Sequence, residues 1–164
     1  MTKNSQSTML PPSTCKTRET QAVSGPARLE RFPAGPWQGE PDRVEWWHEG
    51  VPCLIQREPH LGTWCGYVGV GPGHPWHGMA FEDVPADVHG GLTWACDYCS
   101  GMAPGPVWWL GFDCAHWLDL CPLVVGYRSS EWAHLTGAVY RDQAYVTEQV
   151  TGLARQVIAA RGKA

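Results

Sequence analysis

Every Trp in this chain lies at or after Trp37, and every His lies between His48 and His134. Aromatic side chains bring the largest apolar areas into a core. A segment without them has little with which to offset the entropy of ordering its backbone. Residues 1–41 hold six of the fourteen Pro and many Ser and Thr. Composition therefore divides the 164 residues into a disordered arm over 1–40, with Trp37 docking its end, and a single folded domain over 41–162.

Charge divides in the same place. Residues 1–41 carry five basic and three acidic groups, whereas 42–162 carry six basic and thirteen acidic groups. No Lys or Arg occurs between Arg57 and Arg128. Nonspecific nucleic-acid binding needs several such groups on phosphates, so nucleic acid is not an expected partner. Recognition of a phosphate inside that gap would fall to backbone N–H groups, His or a metal ion. No apolar run approaches the roughly 18 residues of a membrane span. Met1–Leu10 has one Lys and no continuous apolar core, so no signal peptide is expected and the expected compartment is the cytoplasm, where thiols stay reduced.

Patterning predicts an α+β domain: a mainly antiparallel sheet packed by a C-terminal amphipathic helix, with long Gly/Pro-rich loops. Arg43–His48 and Val51–Gln56 flank Glu49-Gly50 as a hairpin. Thr63–Val70 alternates as a third strand, and Gly71–Gly78, with three Gly and two Pro, must be a loop. Within that loop, His74-Pro75-Trp76-His77-Gly78 reads either as a lid or as a surface loop pinned by Trp76. Val88–Ala95 reads as a strand with paired Gly near its start, and Val107–Phe112 as a central strand. Asp113–Leu120 fits two helical turns, and Val124–Tyr127 a short strand. Val146, Val150, Leu153 and Val157 recur at helical spacing, between an N-cap at Asp142 and a stop at Gly162.

Three groups of residues point to chemistry. Asp113, His116 and Asp119 follow the central strand, and on a helix each successive pair would be i, i+3 neighbours. A carboxylate can then orient His116 or share a metal with it. Asp113 and Asp119 would be separated by roughly 9 Å of helix rise, so only one would ligate directly. The plain alternative is a capping Asp, a half-buried His and a solvated Asp. His89-Gly90-Gly91-Leu92-Thr93 places a His beside a turn where the backbone can approach a ligand closely, or forms a β-bulge with an incidental His. The cysteines are the third group. Cys96-x-x-Cys99 has the spacing of half a zinc site, which Cys114 and Cys121 would complete. Plain reduced thiols and a redox pair at Cys96 and Cys99 are the alternatives. Cys114 also reads either as a nucleophile at a helix N-terminus or as a buried inert thiol.

The blocks GYVGVGPGHPWHG (Gly66–Gly78), DVHGGLTWA (Asp87–Ala95) and WWLGFDCAHWLD (Trp108–Asp119) resemble, in the same order, those of an uncharacterised family of small bacterial and phage proteins. Members of that family carry GYV-x-V…GHP, VHGGLT and W-x-GFD-x-x-H-x-x-D. YRDQAYVTEQVTGLARQ (Tyr140–Gln156) is similar to the family's terminal helix, and the likeness spans about residues 45–158. The resemblance implies no activity. It singles out His74, His89, Gly90, Gly91, Thr93, Asp113, His116 and Asp119 by motif position, and puts Cys96 and Cys99 in a variable insert. Its phage association brings in a host-takeover or defence role.

Two classes of function follow. The first is a small hydrolase or lyase with an unidentified small-molecule substrate. His89, Asp113 and His116 would be its catalytic groups, and His74, Gly90, Gly91 and Thr93 would line its substrate site. Zinc or a similar divalent ion would sit on His116 and Asp119. The second is a non-catalytic module that binds a ligand or a phage or host protein, zinc-stabilised through Cys96, Cys99, Cys114 and Cys121. Trp exposure separates the two classes: clustered surface Trp favours binding, and buried Trp around a polar cleft favours catalysis.

Overall fold

The computed structural model describes residues 21–22, 32–99, 106–127 and 136–162. Most of the expected arm over 1–40 lies outside these residues, as do Trp132 and His134. Six strands form one antiparallel sheet: β1 (Gln21–Ala22), β2 (Arg43–His48), β3 (Val51–Arg57), β4 (Trp64–Val70), β5 (Trp94–Cys96) and β6 (Trp108–Asp113). Their order is β1-β2-β3-β4-β6-β5. Among the described residues, the α-helices are α1 (Pro122–Tyr127) and α2 (Gln143–Arg161). The expected α+β architecture is the one observed, and no helix of the described residues is long and apolar enough to cross a membrane.

The β2–β3 hairpin closes through a two-residue turn in which Glu49 and Gly50 both have positive φ, 47° and 78°. That is the type I′ geometry whose twist matches the strands it joins. Alternation then sorts the side chains by face. Val44, Val51, Cys53, Ile55, Trp64, Val68, Leu110 and Phe112 pack with Val146, Val150, Leu153, Ala154 and Val157 of α2. Leu54, Cys99 and Trp109 form a smaller cluster outside this core. The helical period of α2 is thus the period of its buried face, and Asp142 caps it by accepting from the Tyr145 N–H at 2.8 Å.

Three local expectations are corrected. Val88–Thr93 is not strand: Gly90 and Gly91 both have positive φ, which breaks the ladder and leaves β5 only three residues long. Asp113–Leu120 is not helical. Asp113 belongs to β6, its carboxylate accepts from the Ala115 N–H at 3.0 Å, and Leu120 donates to the Val139 carbonyl at 3.0 Å. Val124–Tyr127 is helix, not strand. Pro122 opens α1, where its missing N–H costs nothing and its fixed φ suits a first turn.

Packing also reaches back before residue 41. Phe32 and Trp37 are buried, and Trp37 meets Tyr140 edge-on at 5.4 Å between ring centroids. Glu40 is the hub of this region. Its carboxylate accepts from Arg57 Nη2 at 2.9 Å, from Trp64 Nε1 at 3.1 Å, from the Tyr140 hydroxyl, and from the Gln143 N–H at 2.7 Å. One carboxylate therefore ties the segment before β2, strands β3 and β4, and the start of α2 together.

Candidate functional site

Antiparallel pairing of β5 with β6 (Trp94↔Gly111, Ala95↔Leu110, Cys96↔Trp109) brings the chain entering β5 beside the chain leaving β6. His89 lies on the first of these segments, and His116 and Asp119 on the second. The second segment makes a tight turn, closed by the Asp119 N–H donating to the His116 carbonyl at 2.9 Å. An isolated bridge from Asp119 to Val139 then fixes the exit of this turn.

Asp119 is the centre of the group. Its side chain is 2% exposed. Oδ2 lies 2.8 Å from His89 Nε2, 3.2 Å from His116 Nδ1 and 3.0 Å from the donating His116 N–H. Oδ1 accepts from Arg141 Nε at 2.8 Å. Burial alone would raise the Asp119 carboxyl. The donors Arg141, His89 and the His116 backbone outweigh it and hold the carboxyl below the ordinary carboxylate range. The two imidazoles meet edge-on, 5.2 Å between centroids. His89, His116 and Asp119 each offer a ligand atom, all within 4.8 Å of one another. Among the described residues this is the group of His, Cys, Asp and Glu that can hold a metal ion.

Helix α2 supplies the supporting shell. Tyr145 Oη lies 3.0 Å from His89 Nδ1, and Gln149 Oε1 accepts from the His89 N–H at 3.0 Å. Further along, Gln156 accepts from the Asp87 N–H at 2.8 Å and donates to the Asp87 carbonyl at 2.6 Å. The loop that carries His89 is thus clamped along one stripe of the helix. Arg141 stacks on the Tyr145 ring, its guanidinium carbon 4.9 Å from the centroid.

Of the residues expected to act, the structure joins His89, His116 and Asp119. Gly90 serves them directly: its φ is +67°, and a Cβ there would fall 2.1 Å from the His116 ring. Gly91 shares the left-handed φ but faces open space. This pair makes a controlled comparison. Gly91→Ala is expected to show only the backbone cost of about 1–2 kcal/mol in a thermal melt. Gly90→Ala is expected to add displacement of His116 and loss of divalent-metal binding, read by zinc titration.

The others lie elsewhere. Asp113 follows Phe112 on the strand and so projects from the opposite face of the sheet. There it accepts from the Thr93 hydroxyl at 2.8 Å, and that pair joins the end of β6 to the chain entering β5 rather than serving the site. His74 is buried, accepts from the Trp76 N–H at 3.0 Å and bonds the Val157 carbonyl at 2.9 Å. It pins the Gly71–Gly78 loop to the far end of α2, roughly 18 Å of helix rise from Tyr145. The structure does not gather Cys96, Cys99, Cys114 and Cys121 into a metal-holding group. Cys99 packs in the small cluster and Cys114 in the main core. Burial, with Asp119, Cys65 and Asp113 adding to it, pushes the Cys114 thiol well up, so it is a neutral core group and no activated nucleophile.

Sequence reasoning missed Arg141, Tyr145 and Gln149. Tyr145 and Gln149 carry the one available signal, polar residues at i, i+4 beside the apolar stripe of α2. Trp37, Trp64, Trp76 and Trp109 are buried, whereas Trp47 and Trp117 are exposed. Trp46, Trp94 and Trp108 are partly buried against the apolar clusters, so seven of the nine described Trp pack inward instead of forming a docking patch. Comparison of the chain with protein-family models, curated proteins and solved structures finds no match.

Proposed function

We propose that the chain is a small metal-dependent hydrolase- or lyase-like enzyme whose ion is held by His89, His116 and Asp119. The observation that carries this reading is the convergence of their three ligand atoms within 4.8 Å. Two imidazoles and one carboxylate suit zinc or a similar divalent ion, and three protein ligands leave a position for water or substrate. Such an ion lowers the pKa of bound water to about 7 and so supplies a nucleophile at neutral pH.

The chain's own residues support that chemistry. Asp119 Oδ2 faces both imidazoles while Oδ1 is held by Arg141. With His89 Nε2 given to an ion, Nδ1–H donates to Tyr145, the kind of outer bond that fixes ring orientation. The His116 side chain is 37% exposed, which opens the group to solvent on that side.

Metal analysis of purified protein tests the reading. One divalent ion per chain is expected, retained in Cys96→Ser and lost in His116→Ala. Loss in the Cys variant alone, or no binding after zinc titration of the wild type, would overturn it. Ester and phosphoester turnover that disappears with a chelator and returns with zinc is the matching activity readout.

A second reading, a non-catalytic ligand- or protein-binding module, draws on one observation. The turn between His116 and Asp119 carries Trp117, 78% exposed, and the exposed Leu118 at its tip. Metal binding without turnover on any such substrate would favour it.

A further inference from the structure

The stretch from Arg57 to Arg128 supplies all three metal-holding residues and contains no Lys or Arg between its ends. The cation at the site therefore comes from another segment, the approach to α2. Arg141 spends only Nε on Asp119. Its terminal nitrogens make no hydrogen bond to the described residues, and its side chain is 25% exposed. The guanidinium carbon lies over the Tyr145 ring, 4.9 Å from its centroid, and Tyr145 is itself tied to His89. The terminal nitrogens are thus held beside the metal-holding group, by the Nε bond to Asp119 and the contact over Tyr145.

We propose that the site takes a small anionic substrate, one carboxylate or phosphoryl group of which is shared between the metal ion and the terminal nitrogens of Arg141. This rests on the metal reading above. A divalent ion with one carboxylate and one guanidinium leaves the site positive, and a planar fork recognises two oxygens of one anion in a way a Lys cannot. If Arg141 served only to neutralise Asp119, its loss would change metal affinity and leave anion affinity untouched.

Cobalt(II)-loaded full-length protein, followed by its visible spectrum, separates these outcomes. Acetate and methylphosphonate are titrated as probes into wild type, Arg141→Lys and Arg141→Gln. Wild type is expected to bind at least one probe, and the ratio of the two affinities assigns the carboxylate or the phosphoryl class. Arg141→Gln is expected to weaken that probe by about 10–100-fold, the size of one charge-assisted hydrogen bond. Should the Gln variant not hold cobalt, the comparison passes to Arg141→Lys, which keeps a charge beside Asp119 and must still show a weakened probe. Cobalt bound with equal probe affinity in wild type and variant, or with no probe binding in wild type, overturns the anion inference and leaves the metal reading standing. No cobalt in wild type overturns both.

Discussion

Asp119→Asn is expected to lower zinc affinity by more than about 100-fold, beyond the 10–100-fold typical of losing an outer-shell partner. The carboxylate is the one anion in the metal-holding group, and its Oδ2 is the atom both imidazoles face. Asn keeps the shape and an acceptor for the His116 N–H, so the turn survives. It gives up the charge, and Arg141, a quarter exposed, takes its compensation from water. Tyr145→Phe is the graded comparison. It deletes only the bond at His89 Nδ1 and is expected to fall inside the 10–100-fold range. Thermal melts with and without zinc provide the measurement. Free zinc at 100 times Kd stabilises a folded state by about 2.7 kcal/mol, and that gain should vanish in Asp119→Asn and shrink in Tyr145→Phe. A wild-type melt that zinc leaves unmoved would mean that Asp119 is a buried hydrogen-bond hub and nothing more.

His116 and Asp119 stand out in the sequence by their spacing, but for a reason the structure replaces. Spacing of i, i+3 suits one face of a helix, and it equally suits the two corners of a tight turn. The turn forms because Asp113 and Val139 capture the backbone groups a helix would have used. Asp113 was unreadable for a related reason. β6 runs one residue further than its apolar run, and that single step sends the side chain to the other face. His89 is thirty residues from Asp119 in the chain, and only the β5–β6 register joins them. Arg141 arrives from the approach to α2 and Tyr145 from its first turn; the sequence of this helix displays a buried stripe and gives no sign of what its flank will touch. α1 shows the limit of composition: a Val-rich run favours strand, but the Pro in front of it starts a helix. What periodicity within one segment can carry, the hairpin and α2, was legible. What depends on two distant segments meeting was legible only as residue types.

Glu40→Ala is expected to cost about 3–4 kcal/mol, near the range for leaving a buried charge without its partner. Against a total of about 5–15 kcal/mol for a domain, this lowers the melting temperature by roughly 10 °C. Arg57 is the reason: its side chain is 3% exposed, and Glu40 is its nearest carboxylate. Asp42, 3.4 Å from Nε, and the Gly62 carbonyl, 2.7 Å from Nη1, keep part of the charge compensated and hold the loss below the top of the range. The same substitution removes the acceptor of the Tyr140 hydroxyl, which keeps only the bond it accepts from Arg57 Nη1 at 2.9 Å, and the acceptor of the Gln143 N–H, the two anchors on either side of Arg141. Looser placement of Arg141 should therefore accompany the lost stability, read as weaker zinc protection of the variant than of wild type. Acid supplies the control for mechanism. Burial would raise the Glu40 carboxyl, but its donors Gln143, Tyr140, Arg57 and Trp64 hold it below the ordinary range. Its contribution is then complete above the unfolded carboxyl pKa of about 4.3 and is lost as pH falls through the lower folded value. In melts from pH 7 down to pH 3, the stability gap between wild type and Glu40→Gln should narrow once the pH falls below about 4.3. A stability gap that stays constant across that range would show that packing around residue 40, and not its charge, holds these segments together.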